Sequence, residues 1–121
     1  MGIAGDADEK KSSGKADRKL KKQLRAKIVG ERAKTLKPLE RRIRELENSI
    51  VRTEAELGDL YEAINAVSEE GDNVKIARLS REIHAREEKI GTFFERLEFA
   101  HQEYEKFKLL FEKRMEAFDS S

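Results

Sequence analysis

Leu36-Lys37-Pro38-Leu39-Glu40-Arg41-Arg42-Ile43-Arg44-Glu45-Leu46-Glu47-Asn48-Ser49-Ile50 sets its apolar residues at alternating spacings of three and four. That alternation is the seam of a coiled coil, in which apolar a and d positions repeat along one face. The run continues through Thr53, Leu57, Leu60, Ile64 and Val67. A second run of the same spacing follows: Ile76, Leu79, Ile83, Arg86, Ile90, Phe93, Leu97, Ala100, Tyr104, Phe107 and Phe111. Val67 placed opposite Ile76 pairs every later position with its mirror, the residue numbers summing to 143 from 67 with 76 down to 36 with 107. Each pair joins an a position to a d position, as antiparallel helices require. The fold class is therefore all-α, an antiparallel two-helix coiled-coil hairpin.

Ser68-Glu69-Glu70-Gly71-Asp72-Asn73 reads as the turn, with Gly71 free to take a positive φ and Asp72 or Asn73 to cap the second helix. The expected helices are 38–67 and 74–118, with 119–121 a tail. At 1.5 Å per residue the paired stretch is about 45 Å long, or about 60 Å with its base. Two seam positions are polar. Arg86 faces Leu57, so its stem should cover the leucine while its head reaches a glutamate such as Glu56. Thr53 faces Ile90 and reads as a register-fixing residue.

Below Leu36 the seam would continue through Arg32, Val29, Arg25, Lys22 and Arg18, a largely charged line. The phase should break between Ile28 and Leu36, where Gly30 and Pro38 stand. Proline has no N–H and disfavours α geometry in the residue before it, so a kink or restart is expected near Lys37. Leu20, Leu24 and Ile28 mark a short helix over 17–36, with Asp17 as its N-cap. The second helix carries Phe93, Phe94, Phe99, Tyr104, Phe107, Phe111 and Phe118, with Leu109, Leu110 and Met115. That stripe is too wide for one facing helix. The short helix is therefore expected to pack at the base as a three-helix core, the whole domain spanning 17–118. Residues 1–16, polar and rich in glycine and serine, read as a disordered linker or tail.

Of the 121 residues, 42% are Asp, Glu, Lys or Arg and 37% are hydrophobic, enough apolar side chains for a seam and too few for a thick core. There is no cysteine, which excludes disulfides and thiolate metal sites and fits a cytoplasmic setting. No stretch approaches the roughly 20 apolar residues of a membrane span. His84 and His101 lack partners at ligand spacing: Glu98 and His101 form one Glu-x-x-His step, but Arg81 stands where a second would need an acid. Gly14-Lys15 is followed by Ala16 and is no phosphate loop. No catalytic residue, metal site or cofactor is expected.

Net charge is +1, yet residues 10–37 hold twelve Lys or Arg against Asp17 and Glu31, a local net of +10. Residues 39–121 are net −6. The basic stretch reads either as a solvated lysine-rich linker or as a surface for a polyanion.

Glu31-Arg32-Ala33-Lys34-Thr35-Leu36-Lys37-Pro38-Leu39-Glu40, followed by Ile43, Leu46-Glu47, Ile50 and Glu54, resembles the C-terminal domain of ABC-F ATPases, most of all the Uup-like subgroup. The resemblance covers about residues 17–118 and departs from the family where Lys19-Leu20 is followed by Lys21 in place of Lys-Leu-Ser. It implies a coiled-coil hairpin that follows the second ATPase domain of a soluble cassette protein acting on ribosomes, with ATP bound and hydrolysed by the parent alone. The Met1-Gly2 start then reads as that of an excised segment.

Together with the basic stretch, this gives a non-catalytic, monomeric arm that binds nucleic acid (ribosomal RNA, tRNA or DNA) through phosphates. Arg18, Lys19, Lys21, Lys22, Arg25, Lys27, Arg32 and Lys34 are the expected contacts. A structural or protein-interaction spacer is the rival, with partners at the hairpin tip. Self-association through Phe94, Phe99 or Leu110, and a synthetase's tRNA-binding arm, are further alternatives.

Overall fold

The computed structural model describes residues 14–120 with their side chains. It contains two helices, α1 (Gly2–Glu70) and α2 (Asn73–Ser120), and no strand among the described residues. The expected tail over 1–16 lies outside the described residues except for 14–16, which belong to α1. The chain divides into two compact units, Pro38–Tyr104 and Met1–Lys37 with Glu105–Ser121.

In the Pro38–Tyr104 unit the helices pack antiparallel. Ile43, Leu46 and Ala100 form the buried cluster, with Phe93, Leu97 and Tyr104 against it. Ile43 with Ala100 and Leu46 with Leu97 are mirror pairs of the sum-143 register. Ile50, Thr53, Leu79 and Ile83 are also buried. The remaining seam positions of this unit are half-buried, because a two-helix seam has walls on two sides and water on the others. Polar contacts also join the two helices: Arg86 Nε donates to Glu56 Oε2 at 2.9 Å, Tyr61 Oη to Glu87 Oε1 at 2.6 Å, and Tyr104 Oη to Glu40 Oε1 at 3.3 Å. The Arg86 side chain thus behaves as its seam position demands. Thr53 is only 4% exposed, and its Oγ1 donates to the Ser49 carbonyl one turn back at 2.7 Å, within its own helix.

The turn is tighter than its composition suggests. Ser68 stays helical, its Oγ donating to the Ile64 carbonyl, and α1 runs on to Glu70. Gly71 has φ +75°, and its N–H reaches the Val67 and Ser68 carbonyls at 3.1 and 3.3 Å. A residue with a Cβ is disfavoured in that left-handed conformation, which is why glycine closes the helix. Asp72 is the N-cap: its carbonyl accepts from Ile76 N–H at 3.0 Å and its Oδ1 from Lys75 N–H at 3.2 Å.

The expected short helix over 17–36 is not a separate element, because α1 passes through Pro38 without a break. Proline inside a helix forfeits one backbone hydrogen bond and costs about 3 kcal/mol or more. Burial of Leu36 and part of Leu39 on the seam favours helix on both sides of it. The three-helix core at the base is likewise absent. Within the unit of Met1–Lys37 and Glu105–Ser121, Ile28, Leu36 and Phe111 are buried, whereas Leu20 is 54% and Leu24 44% exposed. Arg25 is level with Asp119, their charged atoms 3.8 Å apart. The aromatic stripe divides accordingly, with Phe107 and Phe118 half-buried but Leu109 and Leu110 exposed; in the other unit Phe94 and Phe99 are 49% and 61% exposed. Cations of α2 lie over rings of the same helix: Lys89 over the half-buried Phe93, Lys106 over the half-buried Phe107 and Arg114 over the buried Phe111, at 5.9, 5.7 and 5.4 Å.

Candidate nucleic-acid interface

The basic stretch is helical throughout its described part, so its cations are placed by helix geometry alone. All eight expected contacts, Arg18, Lys19, Lys21, Lys22, Arg25, Lys27, Arg32 and Lys34, are exposed. At 100° per residue, Arg18, Lys21, Lys22, Arg25 and Arg32 fall within a sector of about 100°. Lys27 and Lys34 project from the opposite side, and Lys19 lies between the two sets. The eight residues thus form one stripe of five with three outliers.

The buried position of the first run shifts from the expected Val29, which is exposed, to Ile28. Arg25 and Arg32, which the expected phase would set at a and d positions, are exposed. Among the described residues, Arg25 is the one cation of the stripe with an ion pair, to Asp119, and both of its partners are about half exposed. The pair therefore contributes less than about 1 kcal/mol. Glu31, on the same helix, accepts from Arg114 Nη1 at 2.9 Å.

Lys21, Lys22 and Arg25 form one wall of a cleft of about 300 Å³ whose other wall is Phe118 and Asp119 from the end of α2. Phe118 and Asp119 were not among the expected site residues, although the sum-143 register already sets residue 25 opposite residue 118.

What this arrangement offers chemically is charge without deep burial. Exposed Lys and Arg can meet phosphate oxygens while retaining much of their hydration, and they supply position and affinity without reading sequence. Among the described residues, no group of three or more His, Asp or Glu is gathered closely enough to hold a metal ion. His84 pairs only with Glu88 on its own helix at 3.1 Å. No described helix is long and apolar enough to cross a membrane. No protein-family model matches the chain, and no curated protein or solved structure matches it either.

Proposed function

We propose that the chain is a non-catalytic nucleic-acid-binding helical hairpin that grips the phosphate backbone of RNA or DNA, with the ribosome as its setting. In this reading it is the C-terminal domain of a soluble, cytoplasmic ABC-F protein of the Uup-like type, in which ATP belongs to the parent's cassette domains. The observation that carries the binding reading is the stripe Arg18, Lys21, Lys22, Arg25 and Arg32, five exposed cations within one sector of α1. The ABC-F reading rests on the Glu31–Glu54 pattern alone.

Five phosphate contacts give an expected salt slope of about −3.5 for single strands and −4.5 for duplex DNA in a plot of log K against log salt. Fluorescence anisotropy with an RNA hairpin and a DNA duplex between 50 and 200 mM salt measures it. The triple variant K22E/R25E/R32E should lose more than about tenfold in affinity for both ligands at the lower salt. Unchanged binding by that variant overturns the reading. The parentage has its own test: Walker motifs and an ABC signature in the coding sequence upstream support it, and a different upstream domain removes it.

A second reading is favoured by one observation at the turn end. Residues 53–74 carry Glu54, Glu56, Asp59, Glu62, Glu69, Glu70 and Asp72 and no Lys or Arg. Such a surface repels phosphate and suits a spacer or a protein partner. This reading predicts no salt-sensitive nucleic-acid binding by the chain.

A further inference from the structure

α2 repeats a stretch of α1 at an offset of 33: Thr53-Glu54, Leu57-Gly58 and Leu60-Tyr61 recur in kind as Arg86-Glu87, Ile90-Gly91 and Phe93-Phe94. In an antiparallel pair this offset makes a local twofold, since exchanging the helices carries the seam layer of 53 with 90 onto that of 86 with 57. The same exchange carries the contact of Tyr61 with Glu87 onto Phe94 and Glu54. The two versions differ by one hydroxyl. Tyr61 donates to Glu87 at 2.6 Å, whereas Phe94 has nothing to donate. Among the described residues Glu54 has no hydrogen bond or ion pair, and its neighbours one turn away on α1 are Ile50, Val51, Leu57 and Gly58, none of them a cation. Phe94 is 49% exposed and Val51 66%. Exposure alone is ordinary. An open ring level with an unpaired carboxylate is not.

We propose that this flank of the Pro38–Tyr104 unit docks a basic amphipathic helix of another protein, which sets an arginine or lysine between Phe94 and Glu54. A cation over the ring gains from the ring's quadrupole while its charged head meets the Glu54 carboxylate. Val51 offers apolar surface to the partner's next turn. At 100° per residue Val51, Glu54 and Gly58 lie within a sector of about 60° on α1, as do Gly91, Phe94 and Glu98 on α2. The contact of Tyr61 with Glu87, from the same two faces, joins them into one surface. A Cβ built on Gly58 or Gly91 would meet nothing within 4 Å, so both positions leave open floor for a second helix to approach. Charge selects the partner's sign, because these six positions hold Glu54 and Glu98 and no Lys or Arg. A phosphate would be repelled there, so this surface serves a different ligand from the cationic stripe.

Isothermal titration of the full chain with a synthetic helical peptide tests this. The peptide carries leucines at alternating spacings of three and four with arginines between them. Its control carries citrulline, which keeps the shape and removes the charge. The arginine peptide should bind and the citrulline peptide should not. F94A should weaken binding about fivefold, the order of one cation–π contact, and E54Q about threefold. E45Q removes the same charge from the far side of α1 and should leave binding unchanged. Circular dichroism at 222 nm checks that the variants stay helical; if F94A does not, E54Q against E45Q decides alone. Equal losses in E54Q and E45Q mean general attraction of opposite charges and overturn the site. Binding unmoved by a folded F94A overturns it too, as does no binding of the arginine peptide by the wild-type chain. Sedimentation of the chain alone supplies the last outcome: a dimer that F94A dissociates assigns the flank to a second copy and overturns docking of another protein.

Discussion

Replacing Thr53 by valine should stabilise the hairpin. Thr53 occupies a seam position with 4% of its surface exposed, and its hydroxyl is satisfied only by the Ser49 carbonyl of its own helix. That carbonyl also accepts the regular helical N–H of residue 53, so loss of the hydroxyl leaves no buried acceptor stranded. Desolvating a hydroxyl costs about 1–3 kcal/mol, and a second bond to a carbonyl that the helix already uses offsets this only in part. A methyl group in its place adds about 0.8 kcal/mol of burial. Both residues are β-branched, so side-chain entropy is nearly unchanged. The sum is a stabilisation of about 1 kcal/mol, which for a chain of this size raises Tm by about 4 °C. Thermal unfolding followed by circular dichroism at 222 nm measures it, with T53S as the control that keeps the hydroxyl and loses the methyl. A lower Tm for T53V would refute the reasoning, because it would require a cross-helix partner for the hydroxyl. Sedimentation of T53V at several concentrations adds a second reading. A monomer shows that the threonine is not what fixes register, since a group bonded to its own helix cannot recognise the other.

Leu46→Ala removes a side chain from the buried cluster and should cost about 2–3 kcal/mol, the lower part of the range for core leucines because a two-helix seam collapses easily; urea unfolding tests this, and a loss below 1 kcal/mol contradicts it. A double-mutant cycle on Arg86 and Glu56 should give a coupling of no more than about 1 kcal/mol, since both heads are part-exposed, and a value above 2 kcal/mol would mean the pair is far better shielded than it is drawn. Tyr61 donates to Glu87, and that carboxylate raises the phenol's pKa above its ordinary value, chiefly through the hydrogen bond. The raised folded pKa means that the contribution to stability is fully present below the unfolded phenol's pKa of about 10 and disappears as pH climbs through the folded value. Ultraviolet titration in a Tyr104→Phe background should show Tyr61 ionising at lower pH once Glu87 is replaced by glutamine, and an unmoved midpoint refutes the contact.

The seam was legible because burial in a helix pair has one period and the chain keeps to it: every position of both runs from Leu36 to Phe111 is buried or half-buried. Arg86 reaching Glu56 was legible for the same reason, since a long side chain at a seam position has few places to go. The break in phase near Ile28 could also be read, from the charged residues that would otherwise have been buried. Pro38 misled, because its local penalty is visible in sequence while the burial of seam residues around it is a tertiary gain. Leu20, Leu24, Phe94 and Phe99 misled in another way. Their apolar character alone argues for a third helix, whereas exposed apolar side chains are ordinary on folded surfaces. At the candidate site the cations were legible one by one; their sorting into a stripe needed an unbroken helix. Phe118 and Asp119 entered only with the cleft that they line.

The mirror pairing of the Pro38–Tyr104 unit also makes its length a discrete variable. Residues 50–56 and 87–93 are opposite heptads, since 50 meets 93 and 56 meets 87 in the register. Removing both at once shortens the pair by about 10 Å and rejoins every remaining partner on its own face. Removing one alone puts all pairs beyond it seven residues out of step. Length in this unit can therefore change over evolution only through matched events on both helices, in quanta of one heptad, with the two-residue turn carried along intact.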